Sequence, residues 1–311
     1  MRGCRAVSVP TGSTRRAVLG GAFAALGWAS PGPLGRAFAG ILAPAALRVA
    51  TLDWAVLETL LAIGNVPVAA AELVLYRQIV VSPPPPPAVV DVGLRGMPNY
   101  EALLAARPNL IVSTNFYLWA TPALERIAPV ETVTFYGLGA PSFELSCTAT
   151  RAIADRIGTP AAGAALIART EASLDAFHRD LAGVAGRPML VINLGDARHF
   201  RVFGMDSLFG AVLARIGLAN AWDGPTRYSA SAPIGIERLA AFPDATIVIL
   251  PPVPPEAVRM FAESRLWRAL PAVRNGRVVT LDPVNPFGAL PTAVRFGTLL
   301  RDALVGMTSH G

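Results

Sequence analysis

From Arg48 onward, short β-branched runs alternate with segments whose apolar residues recur at three- and four-residue spacing. This is the pattern of strands alternating with helices. It predicts strands at 48–52, 67–70, 110–113 and 130–135, with helices at 54–63, 100–106, 122–127 and 142–157. The second half repeats the style, with strands at 189–193, 246–250 and 278–281 and helices at 207–216, 236–241, 255–262 and 289–304. Such alternation requires crossover connections, and so largely parallel sheets covered by helices. Between the halves, Thr159-Pro160 offers a capping hydroxyl followed by proline at the first helical position. No proline follows until Pro188, and Leu166, Ile167, Leu174, Phe177 and Leu181 keep a helical rhythm. A helix from Pro160 to about Val184 would have roughly 25 residues and span about 37 Å. That is long for a crossover and reads as a stiff strut that limits closure of one half on the other. The predicted fold is α/β: two α/β lobes with mostly parallel sheets joined by one long α-helix. The N-terminal lobe is placed at 48–158, the connecting helix at 159–185 and the C-terminal lobe at 186–311.

Composition narrows the picture. The 311 residues are 53% hydrophobic and 15% charged, which excludes a disordered chain and a coiled coil. The first 39 residues read as a leader. Arg15-Arg16 precedes a weakly apolar run, Ala17–Ala29, and Ala37-Phe38-Ala39 forms a small-x-small cleavage site. The arginine pair points to twin-arginine-type export, with general secretion as the alternative route. Loss of residues 1–39 removes five arginines and no acid, leaving 22 basic against 21 acidic residues. The apparent basicity therefore belongs to the leader, and nucleic acid is not an expected partner. Cys4 leaves too, so Cys147 stands alone and no disulfide is expected. A periplasmic, monomeric mature protein is the expectation. Five consecutive prolines, Pro83–Pro87, predict a stiff polyproline II connector, with a partner-recognition motif as the alternative.

Catalytic patterns are absent from the sequence. There is no G-x-S-x-G elbow, no phosphate-binding loop and no close carboxylate pair. His178, His199 and His310 are far apart, so no metal ligand and no resident cofactor is expected, and the chain is not read as an enzyme.

Several stretches carry a resemblance. They are Asp53-Trp54 with Leu60-Leu61-Ala62-Ile63-Gly64, then Val89-Val90-Asp91-Val92-Gly93-Leu94-Arg95, Asn99-Tyr100-Glu101, Arg107-Pro108-Asn109-Leu110-Ile111-Val112 and Arg126-Ile127-Ala128-Pro129. In the second half they are Arg198-His199 through Val202-Phe203-Gly204, Ser207-Leu208-Phe209 and Asn220-Ala221-Trp222. Residues 48–306 resemble the periplasmic iron(III)-hydroxamate siderophore-binding proteins. The resemblance implies the substrate-binding component of an ABC importer, which takes a ferric hydroxamate complex between its lobes and passes it to an inner-membrane permease. The iron would be held by the siderophore itself. The family's ligand-binding arginine and tyrosine fall on Arg95 and Tyr117, with Thr114 beside them.

The family's aromatic pocket positions fall on Ile79, on Ser229 next to Tyr228, and on Asn285 and Phe287, which implies a thinner aromatic wall. Permease docking by one acid from each lobe would fall on Glu125 and Glu237, both expected at helix starts. A cobalamin or haem receptor of the same fold is the alternative within this class. An exported α/β enzyme is a more remote reading.

Overall fold

The computed structural model describes residues 47–137, 142–184, 186–224, 226 and 233–308. The leader, Tyr228, Ser229 and His310 lie outside them.

The N-terminal half opens with β1 (Val49–Thr51), α1 (Trp54–Ala62), β2 (Ala69–Ala70), α2 (Leu73–Ile79) and β3 (Val90–Asp91). A small hairpin follows, β4 (Gly93–Leu94) and β5 (Met97–Pro98), and then α3 (Tyr100–Ala105) and β6 (Leu110–Thr114). A 3-10 turn at Asn115–Ala120 runs into α4 (Thr121–Leu124), and β7 (Val130–Val133) completes the sheet. Its order is β3-β2-β1-β6-β7, and every pairing is parallel. The strands are short because each needs only enough residues to bury one layer of Ala, Val, Leu and Ile against the flanking helices, as Val49, Ala50, Leu110 and Ile111 do at 0–1% exposure.

Two helices lead to the other half: α5 (Ser142–Arg156) and α6 (Pro160–Asp180). Then come β8 (Met189–Leu194), β9 (His199–Val202), α7 (Leu208–Arg215), β10 (Ile234–Gly235) and β11 (Thr246–Leu250). The chain continues through α8 (Pro255–Glu263), α9 (Arg265–Ala269), α10 (Pro271–Arg274), β12 (Val278–Thr280) and α11 (Leu290–Thr308). The second sheet has the order β10-β9-β8-β11-β12 and is mixed. β8, β11 and β12 run parallel, but β9 is antiparallel to both β8 and β10. The tight turn at 195–198, where Asp196 accepts from the backbone N–H of Arg198 and His199, makes β8–β9 a hairpin.

The helix α6 has 21 residues, about 31 Å, and is shorter than its pattern suggested. It stops at Leu181, and a 3-10 turn at Ala182–Val184 follows. Pro160 occupies the first turn as expected, but Thr159 makes no capping bond and its hydroxyl is buried without a partner. The strut is not alone. Gly297 of α11 lies so close to Phe177 of α6 that a Cβ there would sit 2.6 Å from the ring, so only glycine permits this contact. The polyproline segment serves as a connector whose carbonyls are used: Pro83 accepts from the Tyr76 hydroxyl at 3.0 Å and Pro85 from Arg77 at 3.3 Å.

One buried side chain reaches across the fold. Glu58 of α1, fully buried, accepts from the backbone N–H of Ala289 and from the N–H and hydroxyl of Thr292, the latter at 2.8 Å. Ala289 precedes α11 and has no side-chain acceptor, so Glu58 caps this helix from another element. Burial pushes its carboxyl up to about 7, against the donors that lower it. The folded state therefore favours the protonated form, so this stabilising contribution is full below the ordinary value of 4.5 and is lost as pH rises through about 7. Glu58→Gln removes the titration and keeps the shape. Melting temperatures recorded from about pH 4.5 to about pH 8 should show the parent falling relative to the variant by up to about 3 kcal/mol in stability. Parallel curves for the two proteins would show that Glu58 does not titrate there.

Candidate functional site

The carboxyl ends of the first sheet's five parallel strands gather a set of polar and aromatic groups, the end at which open α/β sheets bind ligands. The loop after β1 supplies Asp53 and Trp54. Glu72 follows β2, Arg95 follows β3, Thr114 ends β6 with Tyr117 after it, and Tyr136 follows β7.

Local sequence explains how Arg95 is aimed. Asp91, at the end of β3, accepts from the N–H of Leu73 at 2.9 Å with one oxygen and from the N–H of Gly93 at 2.9 Å with the other. The first bond caps α2, whose own N-cap residue, Glu72, makes no capping bond. The second fixes a turn at Gly93, where φ is +77°, and starts the β4–β5 hairpin with Arg95 at its tip. Glu72 itself sits at φ 52°, a left-handed conformation that costs a non-glycine residue about 1 kcal/mol or more. What the strain achieves is a carboxylate turned toward the hairpin. Its oxygens accept from the Arg95 backbone N–H at 3.1 Å and from Arg95 Nε at 2.7 Å. The guanidinium stacks over the Trp54 ring, with Cζ 3.7 Å from the centroid. Trp54 is held in turn by an Nε1–H bond to the Ala71 carbonyl and an edge-to-face contact with Tyr76.

Tyr117, 9% exposed, lies close enough to Arg95, Asp53 and Glu72 for their charges to act on its phenol. A guanidinium can only donate, and the Tyr117 phenol carries a proton of its own. Burial raises the Tyr117 pKa, with nearby Asp53 and Glu72 adding to the shift, so that proton stays in place at any physiological pH. The Arg95 side chain keeps 34% exposure. Together the two present N–H and O–H donors on an apolar floor.

Thr114 ends β6 and is buried. It is 2% exposed, and its hydroxyl donates to Asp53 at 2.9 Å. Asp53 meanwhile caps α1 by accepting from the N–H of Ala55 and Val56. Burial pushes the Asp53 carboxyl up, and these donors together with Arg95 pull it down. Thr114 therefore supports the floor of the site. Ile79, half-buried at the end of α2, packs on the Trp54–Tyr76 cluster.

The second half contributes the segment before α11. Asn285, 3% exposed, accepts from the Phe287 N–H at 3.1 Å, and its own amide nitrogen is buried without a partner. Phe287 lies edge-on to Tyr136 at 6.1 Å, and Phe116 flanks Tyr136 on another side at 6.1 Å. The Tyr136 hydroxyl donates to the Gly288 carbonyl. Asp206 holds Thr226 through its N–H at 3.0 Å, where the chain enters the segment bearing Tyr228 and Ser229. Glu237 sits exposed in the first turn of a 3-10 helix, its carboxylate against Gly235. Glu125 is exposed but lies at the C-cap of α4, not at a helix start, because Thr121-Pro122 begins that helix earlier. Sequence reasoning missed Glu72, Tyr136 and Phe116. Of these, only Phe116 carried a local signal, as an aromatic beside Tyr117 in the loop after β6.

Among the described residues, no cluster of three or more His, Cys, Asp or Glu could hold a metal, and no helix is long and apolar enough to cross a membrane.

Two α/β lobes joined by helices, with donors and aromatics at the strand ends between them, define a solute-binding protein. Residues 49–284 match the family described as periplasmic binding protein, and the chain belongs to that family. It is 32% identical over 259 residues to the iron(3+)-hydroxamate-binding protein FhuD of Escherichia coli strain K12, covering 83% of this chain and 87% of that one. Among solved structures it superposes on the siderophore-binding protein FhuD of Vibrio cholerae bound to Fe3+–Desferal. There the TM-score is 0.79 at 25% identity, covering 83% of this chain and 98% of that one. The petrobactin-binding protein YclQ of Bacillus subtilis shares the fold, with a TM-score of 0.69 at 19% identity, covering 83% of this chain and 91% of that one.

The placement of Thr114 makes a stability prediction. Thr114→Val withdraws a donor from the buried Asp53 carboxylate and should lower the unfolding free energy by about 1–3 kcal/mol in denaturant titration. An unchanged midpoint would mean that the Asp53 carboxyl does not depend on this bond.

Proposed function

We propose that this chain is the soluble capture component of an iron-siderophore ABC importer. It binds a ferric hydroxamate complex between its lobes and delivers it to an inner-membrane permease. The observation that carries this is the Arg95 guanidinium, held by Glu72 and seated on Trp54 at the strand ends, with the Tyr117 phenol near it. A ferric ion held by three hydroxamates is coordinatively saturated, so the polypeptide need supply no metal ligand. What remains to recognise is a rim of partly negative oxygens, which charge-assisted N–H and phenolic O–H donors suit. The charge also fits. Three monoanionic hydroxamates neutralise iron(III), whereas a ferric tris-catecholate carries a large negative charge. Glu72, 2.7 Å from Arg95, offsets the guanidinium, so the site offers donors without a strong positive potential. The relatives named for iron(3+)-hydroxamate and Fe3+–Desferal support the same class.

The buried, unpartnered Asn285 amide is a further donor for a ligand oxygen, and Phe287 with Phe116 would pack on the organic shell. The twin-arginine-type leader and a cleavage near Ala39 fit export to the periplasm, where the mature protein works as a monomer. Glu125 and Glu237, both exposed, are the acids proposed to meet the permease.

Titration of the protein with Fe3+–Desferal, followed by tryptophan fluorescence, should saturate at one complex per chain. Arg95→Ala, verified as folded by circular dichroism, should weaken that binding by at least about tenfold. Unchanged affinity in the variant would remove Arg95 from the site. Tighter binding of cobalamin or haem than of the ferric complex would select a different cargo.

A further inference from the structure

A cavity of about 560 Å³ lies away from the candidate inter-lobe site. It opens between α6 and α11 and is closed at one side by Ala62 and by Ser82-Pro83. Ala62 ends α1, whose opposite end carries Asp53 and Trp54, so the two sites are separated by the length of that helix, about 13 Å. The volume is within the range of about 300–1,000 Å³ usual for small-molecule sites.

The lining is of two kinds. Leu166, Pro291, Val294 and Leu299 make an apolar wall, and Arg169 and Arg295 bring two guanidiniums. No acid lines the cavity, and neither arginine is paired with a carboxylate among the described residues. Arg295 is pinned by its Nε–H bond to the Pro283 carbonyl at 2.8 Å, which leaves its two terminal nitrogens without that duty. The hydroxyls nearby are not competing donors. Thr170, Ser173 and Thr298 each give their proton to the carbonyl four residues back in their own helix. The charged donors for a ligand are therefore the two guanidiniums, with the Ser82 hydroxyl the one further side-chain donor in the lining.

We infer that this cavity is a binding site for an anionic amphiphile, an apolar chain or ring system ending in a carboxylate. The head would meet Arg169 and Arg295, as a carboxylate fits a guanidinium fork. The body would cover Leu166, Val294 and Leu299, apolar surface that the fold leaves open between its two longest helices. An uncharged chain would gain only the apolar part, so the class is fixed by the head group. The inference does not depend on what the inter-lobe site binds.

Calorimetric titration of the full chain with decanoate and with decanol tests it. Decanoate should bind at one site per chain, at least about tenfold more tightly than decanol. Arg169 is exposed, so Arg169→Glu leaves the core untouched. It should weaken decanoate at least about tenfold, leave decanol unchanged and leave Fe3+–Desferal titration as in the parent. Leu299→Trp, which fills the cavity, should abolish decanoate binding. Equal binding of decanoate and decanol, or decanoate affinity indifferent to Arg169→Glu, would overturn the inference. So would decanoate binding that survives Leu299→Trp or is displaced by Fe3+–Desferal, since it would then lie in another site.

Discussion

The architecture depends on a carboxylate buried between elements 231 residues apart. Glu58 belongs to the helix that covers the first sheet, and the N–H groups it satisfies open the helix that follows the last strand of the second. A helix beginning at alanine has no acceptor of its own for its first donors, so the end of the chain is completed only when it docks on α1. Tyr136 grips the carbonyl one residue upstream of that cap, again from the first half. Two side chains of one lobe thus fix the segment through which the other lobe presents Asn285 and Phe287. With α6 spanning the lobes and α11 packed along it, the lobes are joined by a layer of helices pinned at both ends, a stiffer junction than one strut alone.

The price of that cap is the desolvation of an acid, and the same choice recurs at Asp53. Both are buried carboxylates at helix N-termini, and both have their pKa raised by burial despite several donors. Neither is free for a ligand. They are structural acids whose field nevertheless shapes the site, since Asp53 acts on both Arg95 and Tyr117. The guanidinium that remains accessible is held between a carboxylate at its Nε and an indole face beneath it. In the proposed role it would enter binding already oriented, which reduces the rotamer entropy lost on contact.

Much of this was legible from pattern. Apolar runs located β1, β6, β8 and β11 because these strands are buried on both faces and read as continuous apolar segments, and the half-exposed β7 was located by its β-branched residues. The mixed character of the second sheet was not legible. It depends on a four-residue turn at 195–198 that converts a crossover into a hairpin, and β10 has only two residues to announce itself. Thr159 had the right residue type for a cap, yet its backbone conformation turned the hydroxyl away. Motifs singled out Arg95 and Tyr117 as candidates, but not the residues that contact them. Glu72 lies 23 residues from Arg95, and Tyr136 lies 152 from Gly288, distances at which sequence spacing carries no information about contact.

The aromatic wall shows the same limit from the other direction. Read position by position, the chain has Ile79 and Asn285 where the resemblance implies aromatics, and the apolar surface offered to a ligand looks reduced. In space, a run of aromatics from Phe116 through Tyr136 to Phe287 crosses from the first half to the second, and the Trp54 face lies under Arg95. Substitution at fixed positions therefore overstates the loss, because a ligand meets a surface and not an alignment. What has changed is the kind of contact. A half-buried aliphatic side chain at 79 and a buried amide at 285 replace broad flat rings with a narrower apolar patch and an unsatisfied donor. Burying such a donor against the oxygen of a suitable ligand recovers about 1–3 kcal/mol, comparable to the apolar area an indole would have covered. In the proposed role, selectivity would accordingly rest more on where a cargo places its oxygens than on how much hydrocarbon it carries.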